Sequence, residues 1–147
     1  MKKFAFVADD GQVSYVMSTG STSDFYSNTR YGEHTAIMID GEVDNHQLIA
    51  TQYWDGTAWQ TRDTKPSNYH EWVNFQWQFN QTLFMQELRS IRDDYLKESD
   101  WTQFNDSPLS AADKEAWATY RQALRDLPQN VGEITSLEEV VWPIPPN

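Results

Sequence analysis

A chain of 147 residues has room for one compact domain or two small subdomains, which excludes a large multidomain machine. Its 7 Trp, 7 Tyr and 7 Phe, 14% of all residues, exclude a disordered acidic chain, and a net charge of −11 repels phosphate backbones and anionic lipid heads, so neither nucleic acid nor a membrane surface is expected as a partner. The absence of cysteine removes disulfides, thiolate zinc sites and thiol catalysis together.

No stretch approaches the ~20 apolar residues of a membrane span. The opening Met1 to Val7 is followed by Asp9 and Asp10, which interrupt any signal-peptide core, so the protein is expected to stay in the cytoplasm where it is made. Phe4, Phe6 and Ala8 alternate with Ala5 and Val7, and Asp10-Gly11 separates that run from Val13 to Met17. The pattern predicts paired strands over 3–8 and 12–18 around a type I′ turn, whose two central residues need positive φ. Residues 19–34, rich in Ser, Thr, Gly and Asn, read as a loop that Phe25, Tyr26 and Tyr31 fasten to the core, and Ser18-Thr19-Gly20-Ser21 is read as a polar loop. Ala36 to Ile39 is the next strand, ended by Asp40-Gly41, and an extended pattern resumes through His46, Leu48 and Ile49.

Tyr53-Trp54-Asp55-Gly56-Thr57-Ala58-Trp59 sets two tryptophans five apart around Asp-Gly, and Trp72 to Trp77 repeats the interval around Val73-Asn74-Phe75. A two-residue turn in the first would pair Trp54 with Thr57, Tyr53 with Ala58 and Gln52 with Trp59. The second hairpin is less favoured, because Val73 is β-branched and Phe75 is bulky and neither suits a left-handed backbone. Two such ribbons would make a small aromatic sheet.

Beyond Asn80 the period changes. Phe84, Leu88, Ile91 and Tyr95 predict an amphipathic helix over roughly 81–98, ended by Ser99, Asp100 and Trp101. Ser110 with Asp113 resembles a capping box and opens a second helix with the face Trp117, Tyr120, Leu124 and Leu127, which Pro128 is expected to stop. The connection 99–109 suits an αα-hairpin. Val140 to Pro146 reads as an extended strand or polyproline tail. The fold expected is therefore α+β: an antiparallel β-rich module with aromatic hairpins over 1–80, then a helical hairpin with an extended Trp-Pro tail over 81–147.

Chemistry is sparse. His34, His46 and His70 have no shared metal spacing, and Asp40 to Asn45 lacks the ligand order of a calcium loop, so no metal is expected. Asp93 and Asp94 point about 100° apart on a helix and do not form an acid/base couple. No nucleophile elbow, Walker loop or dinucleotide fingerprint occurs. Trp54, Trp59, Trp72 and Trp77 offer a sugar-stacking groove as the alternative to core packing, and core packing is favoured. Glu87, Arg89, Arg92 and Asp93 alternate in sign along the first helix. Arg121 and Arg125, four apart on the second, read plainly as local pairs, Arg121 with Glu115, Trp117 or the neighbouring helix and Arg125 with terminal carbonyls; the functional reading is a basic stripe facing a partner.

The run Arg92 to Gln103 (RDDYLKESDWTQ), then Asp106-Ser107-Pro108-Leu109-Ser110, Lys114, Trp117, Tyr120 to Asp126 (YRQALRD) and Val141-Trp142-Pro143 closely resembles the C-terminal region of tailed-phage tail assembly chaperones, also called tail fibre assembly proteins. The resemblance spans about 89–146, and the Trp54–Trp59 ribbon looks like the less specific hairpin that often precedes that region. It implies a phage tail fibre assembly chaperone that binds the tail fibre protein, a trimer, and assists its folding or assembly in the host cytoplasm. No enzyme activity, catalytic residue or cofactor is implied, and without a nucleotide motif the help comes from binding rather than ATP. The alternative is a permanent virion component of the fibre or baseplate. Trp101, Tyr120, Arg121, Arg125 and Trp142 form the signature cluster proposed to bind the partner. Within it Trp101 is expected to close over the inter-helix groove and Trp142-Pro143 to pack across its open end, both holding the hairpin, while Trp117 is assigned to the core.

Overall fold

A computed structural model describes residues 1–20 and 25–147 and divides them into two compact units, Met1–Gln78 and Phe79–Asn147. Ser21, the last residue of the polar run read as loop, lies outside the described residues.

The first unit is built on a four-stranded antiparallel sheet of order β2-β1-β4-β3, with β1 Lys2–Val7, β2 Val13–Thr19, β3 Thr29–Tyr31 and β4 His34–Ile39. Strand β1 is central, so its apolar run serves both faces. Ala5 and Val7 join Val13, Ile37 and Leu48 in one buried cluster, while Phe4 and Phe6 join Ala36 in another, with Phe25 and Tyr31 packed against it. Phe25 stands edge-on to Phe6 at 5.3 Å and to Tyr31 at 4.9 Å, and Phe6 stacks on Tyr15 at 4.6 Å. Each fully buried Phe contributes roughly 1.5–3 kcal/mol. Tyr26 differs from expectation: the residue is 67% exposed, and its backbone N–H donates to the Tyr31 hydroxyl at 2.8 Å.

The β1–β2 turn is wider than the Asp-Gly pair predicts. Gly11 N–H donates to Ala8 C=O and Ala8 N–H to Gln12 C=O, both at 2.9 Å, and only Gly11 takes positive φ, at 76°. This is the three-residue loop with a left-handed glycine, not a type I′ turn. Gly11 is further required by crowding, since a Cβ there would lie 2.1 Å from the backbone oxygen of Trp54. Part of the expected 19–34 loop is strand β3, paired to β4 from Thr29 opposite Ala36 to Tyr31 opposite His34.

Asn45–Thr51 is a helix, α1, which corrects the extended reading of His46, Leu48 and Ile49. The Asp44 carboxylate accepts the Gln47 N–H at 2.8 Å and caps it, and Leu48 alone is buried. The hairpin of β5 Gln52–Trp54 and β6 Trp59–Thr61 is also in another register from that expected: Trp54 faces Trp59, Tyr53 faces Gln60 and Gln52 faces Thr61. The cause is the Asp55 side chain, which accepts from Thr57 N–H and Ala58 N–H at 2.8 Å each and closes a four-residue loop. The second hairpin forms, from β7 His70–Val73 and β8 Gln76–Phe79, with Asn74 at φ 49° and Phe75 at φ 62°. Phe75 bears a strain of roughly 1–2 kcal/mol there, offset in part by its ring contact with Tyr53 at 5.9 Å.

The two ribbons are separate ladders joined through rings. Trp54 meets Trp59 and Trp72 meets Trp77 at 5.3 Å each, and Tyr53 meets Trp72 at 5.0 Å. The Arg62 guanidinium lies over Trp72 and Trp77 at 5.2 and 5.0 Å.

In the second unit, α2 Gln81–Glu98 is capped by Asn80, whose side chain accepts from Leu83 N–H, and it buries Phe84 and Leu88. A 3-10 turn over Asp100–Gln103 leads toward α3 Ala111–Asn130. The Ser110 hydroxyl accepts Asp113 N–H at 3.1 Å and donates to the Asp113 carboxylate at 2.7 Å, so the cap predicted from sequence is a closed pair. Helix α3 runs through Pro128 to Asn130, where a stop at Pro128 was expected. Pro128 has no N–H for Leu124 C=O, but only Gln129 and Asn130 follow it in the helix, so the loss is confined to one bond of the last turn. A short 3-10 turn, Leu137–Glu139, precedes buried Val140 and the tail.

Candidate partner-binding site

The site grows from the end of α2. A helix C-terminus leaves carbonyl groups without partners and carries partial negative charge. Here the Ser99 hydroxyl lies 2.9 Å from Tyr95 C=O and 3.0 Å from Leu96 C=O, and Arg121 reaches across from α3 to finish the cap. Its Nη1 donates to Leu96 C=O at 2.6 Å and to Ser99 Oγ at 2.7 Å, and its Nη2 donates to Asp100 at 2.7 Å. Arg121 is only 7% exposed and Ser99 3%. Thr102 is fully buried and donates to Ser99 C=O at 2.6 Å, which fixes the turn that carries Trp101.

Around this joint the rings of the unit gather. Trp117 stands edge-on to Tyr120 at 5.6 Å, Trp101 lies tilted 6.4 Å from Trp117, and Trp142 of the tail stands edge-on to Tyr95 at 5.3 Å. All but Trp101, which was expected to close over it, line a groove of about 350 Å³: Tyr95, Trp117, Tyr120 and Trp142, with Pro143 and Pro145 from the tail and Glu98 and Ser99 from the end of α2. Burial holds the Tyr120 phenol above its ordinary pKa, with Tyr95 and Glu98 adding to the shift.

The five signature residues therefore stand in different settings. Tyr120 and Arg121 are buried, Trp142 is half-buried as a wall of the groove, Trp101 is 46% exposed, and Arg125 faces solvent. The local partner of Arg121 is Asp100, with Ser99 and Leu96, rather than Glu115 or Trp117. Tyr95, Glu98 and Trp117 also line the groove, though the sequence marked Tyr95 and Trp117 only as members of apolar helix faces. The helical offset of Tyr95 and Glu98, i and i+3, was the available signal. Phe104, Val141 and Ile144 add apolar surface, 57%, 86% and 87% exposed.

Elsewhere the candidate clusters serve local structure. His70 shares a hydrogen bond with Ser67 at 2.8 Å, Asp40 accepts Glu42 N–H, and no group of three His, Cys, Asp or Glu among the described residues is placed to hold a metal ion. Trp72 is 8% exposed and is engaged by Trp77, Tyr53 and Arg62. No helix among the described residues is long and apolar enough to cross a membrane.

The second unit is thus a two-helix module with an aromatic groove. Residues 85–147 match the family described as phage tail assembly chaperone protein, which covers the entire signature from Arg92 to Pro143. Searches of curated proteins and of solved structures gave no match. The family match supports a role in phage tail assembly for this segment.

Proposed function

We propose that this protein is a tail fibre assembly chaperone that binds the phage tail fibre protein and assists its folding or trimer assembly in the host cell, through binding energy alone and without ATP or catalysis. The carrying observation is the family match over 85–147, a segment that leaves Trp101, Phe104, Val141 and Ile144 exposed. A fibre trimer must pair long β-rich chains whose edges and apolar stripes aggregate while they wait. A small acidic protein with exposed Trp101, Phe104, Val141 and Ile144 can cover such stripes and keep the complex in solution. Coexpression with the cognate fibre is expected to raise the yield of soluble trimer several-fold. Equal yields with and without this protein would refute the reading. Mass spectrometry of purified particles is expected to find it absent, and stoichiometric presence would instead make it a permanent tail component.

A further inference from the structure

We propose that the groove of the second unit is a receptor for an arginine side chain, presented with apolar neighbours on an extended segment of the partner chain. This rests on the proposed function for who the partner is, but not for the chemistry. Four rings from three parts of the unit, Tyr95 of α2, Trp117 and Tyr120 of α3 and Trp142 of the tail, surround about 350 Å³. Aromatic faces are electronegative and attract cations placed over them.

Among the described residues, the only charged side chain lining the groove is Glu98, which is exposed. Arg121, the buried cation of the joint, is committed to Leu96, Ser99 and Asp100 and does not neutralise it. Burial is the main cause of the raised pKa of the Tyr120 phenol, and Tyr95 and then Glu98 add to it. A cation is therefore complementary to the site in charge, and a carboxylate is not.

Guanidinium is favoured over ammonium because it is flat, weakly hydrated and stacks on indoles. The first unit already contains that arrangement in closed form. Arg62 lies over Trp72 and Trp77 at 5.2 and 5.0 Å, while its Nη2 donates to Ile49 C=O at 2.9 Å and Ala50 C=O at 3.1 Å. The second unit presents rings and a carboxylate with the cation left to come from outside. Val141 and Ile144, on the tail that forms one wall, supply apolar contacts for the residues flanking it.

The test titrates the full-length protein with acetyl-Val-Arg-Val-amide, and with the same peptide carrying citrulline or leucine in place of arginine, following the indole N–H signals by NMR. The arginine peptide is expected to move the signals of Trp117 and Trp142 and to leave Trp72 and Trp77 in place. Citrulline, equal in shape but neutral, should bind at least about fivefold more weakly. Glu98→Gln, at an exposed position that tolerates change, should weaken the arginine peptide about three- to tenfold and leave the citrulline peptide unchanged. Equal binding of the citrulline or leucine peptide would overturn the proposal, as would indifference to Glu98→Gln. So would groove signals that move only with protein concentration, which would seat a second copy there. Because this uses no fibre, it can fail while coexpression succeeds, and the reverse.

Discussion

Arg121 and Arg125 stand one helical turn apart and share a charge, yet only one can be spared from the fold. Arg121 is buried and satisfies a helix-end carbonyl, a buried hydroxyl and a carboxylate at once. Removing it deletes three charge-assisted hydrogen bonds at a buried joint and leaves Leu96 C=O to Ser99 alone, so Arg121→Ala is expected to lower stability by about 2–4 kcal/mol in urea unfolding. Arg125→Ala should change it by no more than about 0.5 kcal/mol, since that side chain faces solvent. Equal losses would mean that the hydrogen bonds of Arg121 carry no weight. Asp100, its ion-pair partner, is distant in sequence, which is why the helical spacing of the two arginines suggested a common face and concealed the buried joint.

At the scale of elements, legibility followed the strength of the periodic signal. Strands β1, β2 and β4 and helices α2 and α3 were readable because long apolar runs or repeats leave few alternatives. Helix α1 was not, because its seven residues bury only Leu48 and show no period. The Asp44-x-x-Gln47 spacing, a cap followed by a glutamine, was the clue it offered. The Trp54–Trp59 hairpin was legible in kind but wrong in register, because one side chain outvoted the Asp-Gly pair. The N–H groups of Ala58 and Thr57, then the Thr57 hydroxyl and the Gln60 amide, hold the Asp55 carboxyl well below the usual carboxylate range. A folded pKa below the unfolded value of about 3.9 stabilises the fold at pH above that value and is lost as pH falls through the folded one. Asp55→Asn should therefore melt below the wild type near neutrality, with the gap narrowing as the pH is taken from about 6 to about 2. A gap that stays constant would show that the loop depends on shape rather than charge.

For the whole molecule, charge and exposed rings oppose each other. The chain carries −11 at neutral pH and has a pI near 4.5, while Trp101, Phe104, Met38, Val141 and Ile144 stand 46–87% exposed. Repulsion between copies keeps such patches apart and weakens as net charge vanishes. Light scattering is expected to pass through a maximum near pH 4.5 and, at neutral pH, to rise with added salt as the charges are screened. A flat profile would mean that charge is not what separates the copies. The α+β composition was visible in the change of period near residue 80. The groove was visible only in its parts, because Tyr95, Trp117 and Trp142 come from different elements and nothing in their spacing says that they meet.

The paired indoles of the two hairpins have an optical consequence. Trp54 with Trp59, and Trp72 with Trp77, stand edge to face with centroids 5.3 Å apart, close enough for their transition dipoles to couple. Such coupling adds an exciton couplet to the far-ultraviolet circular dichroism, in the region normally read as helix. The ellipticity of this protein is then a composite of helix content and hairpin closure. Its change on heating becomes a direct optical report of when the tryptophan ribbons come apart.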